Sequence, residues 1–92
     1  MVTAFVLLNI ARGQVNEVAD ELANTDGIYE VHSVAGRYDL VAVIRVKTNE
    51  ELADLVTDTI RKLEGIEASE TLIGFRVISR YDLDRMFSVG LE

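Results

Sequence analysis

The chain has 92 residues, the size of one domain, and 49% of them are apolar. A core this small does not hide that much apolar surface, which predicts a homo-oligomer. A net charge of −7 with nine Lys and Arg residues argues against nucleic acid binding, because phosphates require a basic surface. The absence of Cys excludes disulfides and thiolate metal sites, and no apolar run approaches the roughly 20 residues that cross a membrane. Without a signal-peptide pattern, we expect a cytoplasmic protein.

The first half of the chain predicts a strand, a helix and a hairpin. Val2 to Ile10 is apolar at both alternating sets of positions, as in a central strand. Gly13 to Thr25 has the i, i+3, i+4, i+7 spacing of an amphipathic helix. Ile28 to Ala35 mixes polar and apolar residues, which indicates an edge strand. Tyr38 to Lys47 is apolar on both faces for most of its length, which predicts a second central strand.

The second half predicts one more helix and one more strand. Thr48 begins the helix, with Glu51 three residues later as in a capping box, and Gly65 ends it. The segment from Ile66 to Arg80 holds the last strand, which we place at Thr71 to Ile78. The predicted order of elements is therefore β-α-β-β-α-β.

This order predicts an α+β fold, a ferredoxin-like sandwich in which a four-stranded antiparallel sheet carries two helices on one face. No element remains to cover the other face, and the two central strands are apolar there, so we expect a sheet-to-sheet dimer. Residues 1–80 form this domain, and residues 81–92 form a C-terminal tail. In the tail, Leu83, Met86 and Phe87 have the spacing of a helical turn that packs against the sheet edge or a neighbouring subunit.

Patterns for catalysis and metal binding are missing from the sequence. His32 has Glu30 and Ser33 as neighbours but belongs to no set of nucleophile, base and orienting group. The acidic residues lie mainly on the solvent sides of the helices and in the tail, and no glycine-rich loop has phosphate-binding spacing. We therefore expect no enzyme activity, no metal and no cofactor.

The turn Gly36-Arg37-Tyr38-Asp39 joins the two strands of the hairpin. Such a tip offers free backbone N–H groups, a carboxylate and an aromatic ring, which are the groups that a free amino acid requires. The same residues also make an ordinary turn, because Gly tolerates turn dihedrals and Asp often bonds to turn backbone. The residues alone leave both interpretations open.

Two motifs together resemble a known family. The Gly-x-Tyr-Asp hairpin runs into Leu40-Val41-Ala42-Val43, and the Gly65-Ile66 turn leads to Glu70-Thr71-Leu72-Ile73. With the predicted order of elements, residues 2–80 resemble the effector-binding (RAM) domain of Lrp/AsnC-type transcriptional regulators. The resemblance implies dimers that pair through their sheets, assembly into octamers or similar rings, and binding of a free amino acid in clefts between dimers.

The resemblance also implies a set of site residues. Gly36, Tyr38 and Asp39 would line the effector cleft, Leu40 would add backbone contacts, and Thr71 would approach from a neighbouring subunit. Family members carry a winged helix-turn-helix ahead of this domain, whereas the first strand here begins at Val2. We therefore expect a stand-alone module that senses an amino acid without direct DNA contact. Full-length Lrp/AsnC-type regulators are its candidate protein partners.

Three other interpretations stay open at this point. A dimeric α+β barrel enzyme of the monooxygenase or isomerase type would share the topology, but it should bury polar residues between sheet and helices, where the chain offers mainly Phe5, Leu7 and similar residues. An ACT-like amino acid-binding domain usually has a glycine-rich loop after the first strand, and residues 9–13 match that only in part. A purely structural oligomerisation module would leave the cleft empty.

Overall fold

A computed structural model describes residues 1–80, and the predicted helical turn at Leu83, Met86 and Phe87 lies outside them. The elements follow in the predicted order, and the second helix continues as a π-helical turn, Leu55–Thr59, and a 3₁₀ turn, Ile60–Lys62. The strands and helices are β1 (Val2–Ile10), α1 (Val15–Ala23), β2 (Ile28–Ser33), β3 (Leu40–Val46), α2 (Asn49–Asp54) and β4 (Ile66–Ile73).

The four strands form one antiparallel sheet in the order β2-β3-β1-β4. β1 and β3 are the central strands and β2 is an edge strand, as the sequence predicted. Together with the two helices, this order confirms the ferredoxin-like α+β fold. At the start of α2, the Thr48 side chain accepts a hydrogen bond from the Glu51 backbone N–H at 3.1 Å, so the predicted N-cap is present.

One apolar layer between the sheet and both helices makes the core. No polar or charged side chain is buried among residues 1–80. Phe5 and Leu7 do not belong to this layer, contrary to the expectation above, because they alternate with buried residues of β1 and face the other side of the sheet. The central strands contribute mainly Ala4, Val6, Leu8, Leu40, Ala42 and Ile44, and the helical segments contribute Val18, Leu22, Leu52, Leu55 and Ile60.

The last strand begins five residues earlier than predicted, at Ile66 instead of Thr71, and ends at Ile73 instead of Ile78. Its length is set by its pairing with β1, which runs from Ile10 opposite Ile66 to Ala4 opposite Ile73. The Gly74 N–H then donates to the Thr3 carbonyl at 2.7 Å, where β1 itself runs out. The prediction was wrong because the acidic residues at 67 and 70 look unlike a strand, although an exposed edge strand accepts them.

The face of the sheet opposite the helices is apolar at its centre. Phe5 lies between Val43 on β3 and Leu72 on β4, and Leu7 lies opposite Val41 in the same way. The Phe5 side chain is 38% exposed and that of Leu72 is 47% exposed. We call this surface, made of Phe5, Leu7, Val41, Val43 and Leu72, the open face. Of these five side chains Val43 is buried, whereas the other four are partly or largely exposed within residues 1–80.

Candidate functional site

The hairpin tip, residues 34–39, connects β2 to β3 at one corner of the sheet. Gly36 has a φ of +136°, a value that side-chain-bearing residues rarely adopt, and apart from its chain neighbours no heavy atom of residues 1–80 lies within 4 Å of where its Cβ would be. The turn therefore requires glycine for its backbone conformation and not for packing. This conformation supports the interpretation of residues 36–39 as a turn. The space above Gly36 is open.

Asp39 ties the hairpin tip to the end of β1. Its carboxylate oxygen Oδ2 accepts a hydrogen bond from the backbone N–H of Ile10 at 2.8 Å. Its own N–H donates to the Leu8 carbonyl at 2.9 Å, and its carbonyl accepts from the Val34 N–H at 3.0 Å. Asp39 thus joins three strands, and one of its two carboxylate oxygens already has a structural partner.

Tyr38 crosses from the hairpin tip to the edge strand β4. Its hydroxyl donates a hydrogen bond to the Glu70 carboxylate oxygen Oε2 at 2.6 Å. This bond raises the pKa of the Tyr38 hydroxyl above its ordinary value of 10, since the carboxylate stabilises the protonated phenol. Desolvation and the negative charge of Glu70 act in the same direction, and the Arg37 charge opposes them. Glu70 lies opposite Leu7, on the edge of the open face.

The hairpin tip also offers unused donors. The backbone N–H groups of Gly36, Arg37 and Tyr38 have no hydrogen-bond partner within residues 1–80. The exposed guanidinium of Arg37 has no ion-pair partner in the same part of the chain. This corner therefore combines N–H donors and a cation with the carboxylates of Asp39 and Glu70. These groups complement the carboxylate and the ammonium of an amino acid.

Leu40 and Thr71, the other two predicted site residues, lie on the helix side of the sheet. The Leu40 side chain is fully buried in the core, so only its backbone could contribute to a site. Thr71 pairs with the buried Val6, and its side chain lines an apolar groove of about 250 Å³ between α2 and β4. The structure therefore brings Gly36, Tyr38 and Asp39 to one corner and does not bring Thr71 there within a single chain. The approach of Thr71 from a neighbouring subunit stays a prediction.

Sequence reasoning missed Glu70 as a residue of this corner. Glu70 belongs to the family motif at residues 70–73, but no role was predicted for it. The predicted β4 began at Thr71, so Glu70 was expected to lie outside the sheet. With β4 starting at Ile66, the alternation of a strand puts Glu70 and Thr71 on opposite faces. The β1–β4 register then places Glu70 near the hairpin tip. The correct bounds of β4 would have indicated that Glu70 lies near the hairpin tip.

His32 and the acidic side chains form no second site among residues 1–80. His32 pairs with Glu30 on the edge strand β2. Within the described residues it forms no hydrogen bond with a nucleophilic side chain. Residues 1–80 contain no group of three or more His, Asp or Glu side chains that could hold a metal ion. In the same residues no helix has the length and apolar character needed to cross a membrane.

Comparison with known families gives one match over most of the chain. The family model of the Lrp/AsnC ligand binding domain matches residues 3–83. Among curated relatives, the HTH-type transcriptional regulator FL11 of Pyrococcus furiosus is 37% identical over 76 residues, which are 83% of this chain and 50% of that protein. The chain spans about half the length of the curated relatives it matches.

Two solved structures illustrate the likeness in three dimensions. TTHA0845 from Thermus thermophilus is 46% identical, with a TM-score of 0.82 over 87% of this chain and 100% of that chain. The transcriptional regulator NMB0573 from Neisseria meningitidis, solved as a complex with L-Met, is 15% identical, with a TM-score of 0.76 over 86% of this chain and 53% of that chain. The second likeness concerns the fold alone.

Asp39 should contribute to stability through the Ile10 N–H. Asp39→Ala leaves this partly buried donor without an acceptor, so we expect the free energy of unfolding to fall by about 1–3 kcal/mol. Asp39→Asn keeps an oxygen acceptor and should lose less. Urea unfolding followed by circular dichroism measures both values. Asp54→Ala, at an exposed position of α2, is the control, and an equal loss in that variant would contradict the assignment.

Tyr38 should titrate at a higher pH than an ordinary tyrosine. Glu70→Gln removes the negative charge, so the pKa of the Tyr38 hydroxyl should fall towards 10. The raised folded-state pKa favours the folded protein below pH 10, and this contribution is lost as the pH rises through the folded-state pKa. Absorbance at alkaline pH follows the ionisation, and Tyr38→Phe identifies the transition. A titration curve that Glu70→Gln leaves unchanged would refute the hydrogen bond.

Proposed function

The chain belongs to the Lrp/AsnC ligand-binding domain family, and we propose that it is a module that binds a free amino acid effector and assembles into oligomers. The observation that carries the proposal is the hairpin corner. The N–H groups of residues 36–38 and the Arg37 cation have no partner within residues 1–80, and they share the hairpin tip with Asp39 and with Tyr38, whose hydroxyl bonds to Glu70. That arrangement matches the opposite charges of an amino acid, and a distant structural relative is a complex with L-Met.

The module would act in transcription regulation and not as an enzyme. Its curated relatives are HTH-type transcriptional regulators, of which it matches about half. A net charge of −7 makes direct DNA contact by this domain unfavourable, so its influence on DNA would pass through full-length Lrp/AsnC-type partners. Such a role places the protein in the cytoplasm. The family match favours this function over the barrel enzyme and ACT-like alternatives.

The assembly we propose begins with a dimer that covers the open face. Phe5, Leu72 and their neighbours form a contiguous apolar surface on a sheet whose other side is already packed. Two copies related by a two-fold axis would bury this surface on each other. Dimers would then assemble into an octamer or a similar ring, with the amino acid in the clefts between dimers. There Thr71 of a neighbouring subunit and the Leu40 backbone would complete the site.

A thermal-shift screen against the twenty amino acids at millimolar concentration tests effector binding. A ligand at 100 times its dissociation constant stabilises the folded state by about 2.7 kcal/mol, which corresponds to a rise in Tm of roughly 10–20 °C for a domain of this size. We expect such a rise for one amino acid or one chemical class of them. The matching D-amino acids are the controls. A flat response to all twenty would contradict the proposed function.

The dimer is tested by substitutions at two neighbouring residues of β4. Leu72→Glu places a charge at the centre of the open face, where burial without a partner costs several kcal/mol, so we expect the measured mass to fall to that of one chain. Ile73→Glu is the control, because Ile73 is 62% exposed but faces the helix side. Light scattering coupled to size-exclusion chromatography gives the mass. Loss of the dimer in both variants, or in neither, would contradict pairing through the open face.

A further inference from the structure

The two carboxylates of the hairpin corner are not equivalent. Asp39 sits at the junction of three strands, and its Oδ2 accepts from the N–H of Ile10, a residue that is itself buried. A ligand that shifted this half-buried carboxylate would leave the Ile10 N–H without its acceptor, which is costly, so an ammonium group could use only Oδ1 and only with Oδ2 held in place. Asp39 is therefore better suited to hold the turn in place than to receive a ligand.

Glu70 has the opposite character. It is exposed on an edge strand, and its partner within residues 1–80 is the neutral hydroxyl of Tyr38, with no Lys, Arg or His in ion-pair distance. Its negative charge is therefore uncompensated in this part of the chain. The Tyr38 hydrogen bond uses Oε2, Oε1 has no partner among the described residues, and a carboxylate has room for about four hydrogen bonds. A cation can bind there without displacing Tyr38.

We propose that Glu70 receives the ammonium group of the amino acid effector, that Tyr38 positions the Glu70 carboxylate, and that Asp39 positions the turn. The effector carboxylate would then meet the free N–H groups of residues 36–38 and the Arg37 guanidinium. This inference rests on the proposed function, since it names which side chains recognise the two charged ends of the ligand. It assigns the recognition of the ammonium to a residue outside the Gly-x-Tyr-Asp hairpin.

A thermodynamic cycle between protein and ligand tests the assignment. Isothermal titration calorimetry compares wild type and Glu70→Gln, each with the L-amino acid that gives the largest shift in the thermal screen and with its desamino acid (for L-leucine, 4-methylpentanoate). A charge-assisted hydrogen bond predicts that loss of the ammonium weakens binding to wild type roughly 10- to 100-fold. In Glu70→Gln the two ligands should bind with nearly equal affinity, because the partner of the ammonium is missing.

The role of Tyr38 is measured in the same cycle. Tyr38→Phe frees the Glu70 side chain to rotate. In a protein that keeps Glu70, it should therefore weaken binding of the L-amino acid, whereas in the Glu70→Gln background it should leave that affinity unchanged. A merely structural tyrosine would weaken both backgrounds equally. Glu67→Gln is the matched control, since Glu67 is an exposed acid of the same strand and the variant makes the same change of charge. It should leave the preference for the L-amino acid intact.

The outcomes separate this inference from the function on which it rests. If wild type binds an L-amino acid and Glu70→Gln discriminates against the desamino acid as strongly as wild type does, Glu70 does not hold the ammonium, while amino acid sensing stands. If wild type binds none of the twenty amino acids, both proposals are wrong. The assignment is established if the preference for the L-amino acid over its desamino acid is lost in Glu70→Gln and kept in Glu67→Gln.

Discussion

The pairing of β1 with both β3 and β4 determines where the chemistry-bearing residues meet. β1 pairs with β3 over residues 2–8 and with β4 over residues 4–10. Its C-terminal end receives the hairpin tip through the bonds between Asp39 and the backbone at positions 8 and 10. The same end receives the beginning of β4, and so Glu70 comes within reach of Tyr38. The corner is a consequence of strand register.

Side chains of the central strands point alternately to the two sides of the sheet, and both sides are apolar but differ in burial. One side packs on the helices and carries no buried polar group within the described chain, so it provides the stability of the single domain. The other side leaves Phe5 and Leu72 partly exposed within the part of the chain that the structure describes. Its polar surroundings include Arg45, whose guanidinium lies 4.2 Å from the centre of the Tyr29 ring. An apolar centre with such a rim is typical of an interface.

Much of the fold could be predicted because it depends on local patterns. The bounds of β1 were predicted correctly, and the turn glycines and the Thr48 cap marked the ends of the other elements. The bounds of β4 could not be predicted, because an edge strand takes its length from its neighbour and tolerates acids such as Glu67. Three of the five predicted site residues come together for a local reason, since they share one turn. Glu70 required knowledge of the β1–β4 register, which no local pattern contains.

The turn and the binding site are not competing interpretations of the hairpin tip. Here Asp39 anchors the loop through its side chain and its own backbone, so the N–H groups of residues 36–38 stay free of bonds within the described chain. Gly36 supplies the dihedral that this loop needs, with open space above it. The structural role of Asp39 thus pre-organises donors that a ligand can use without first breaking bonds within the protein.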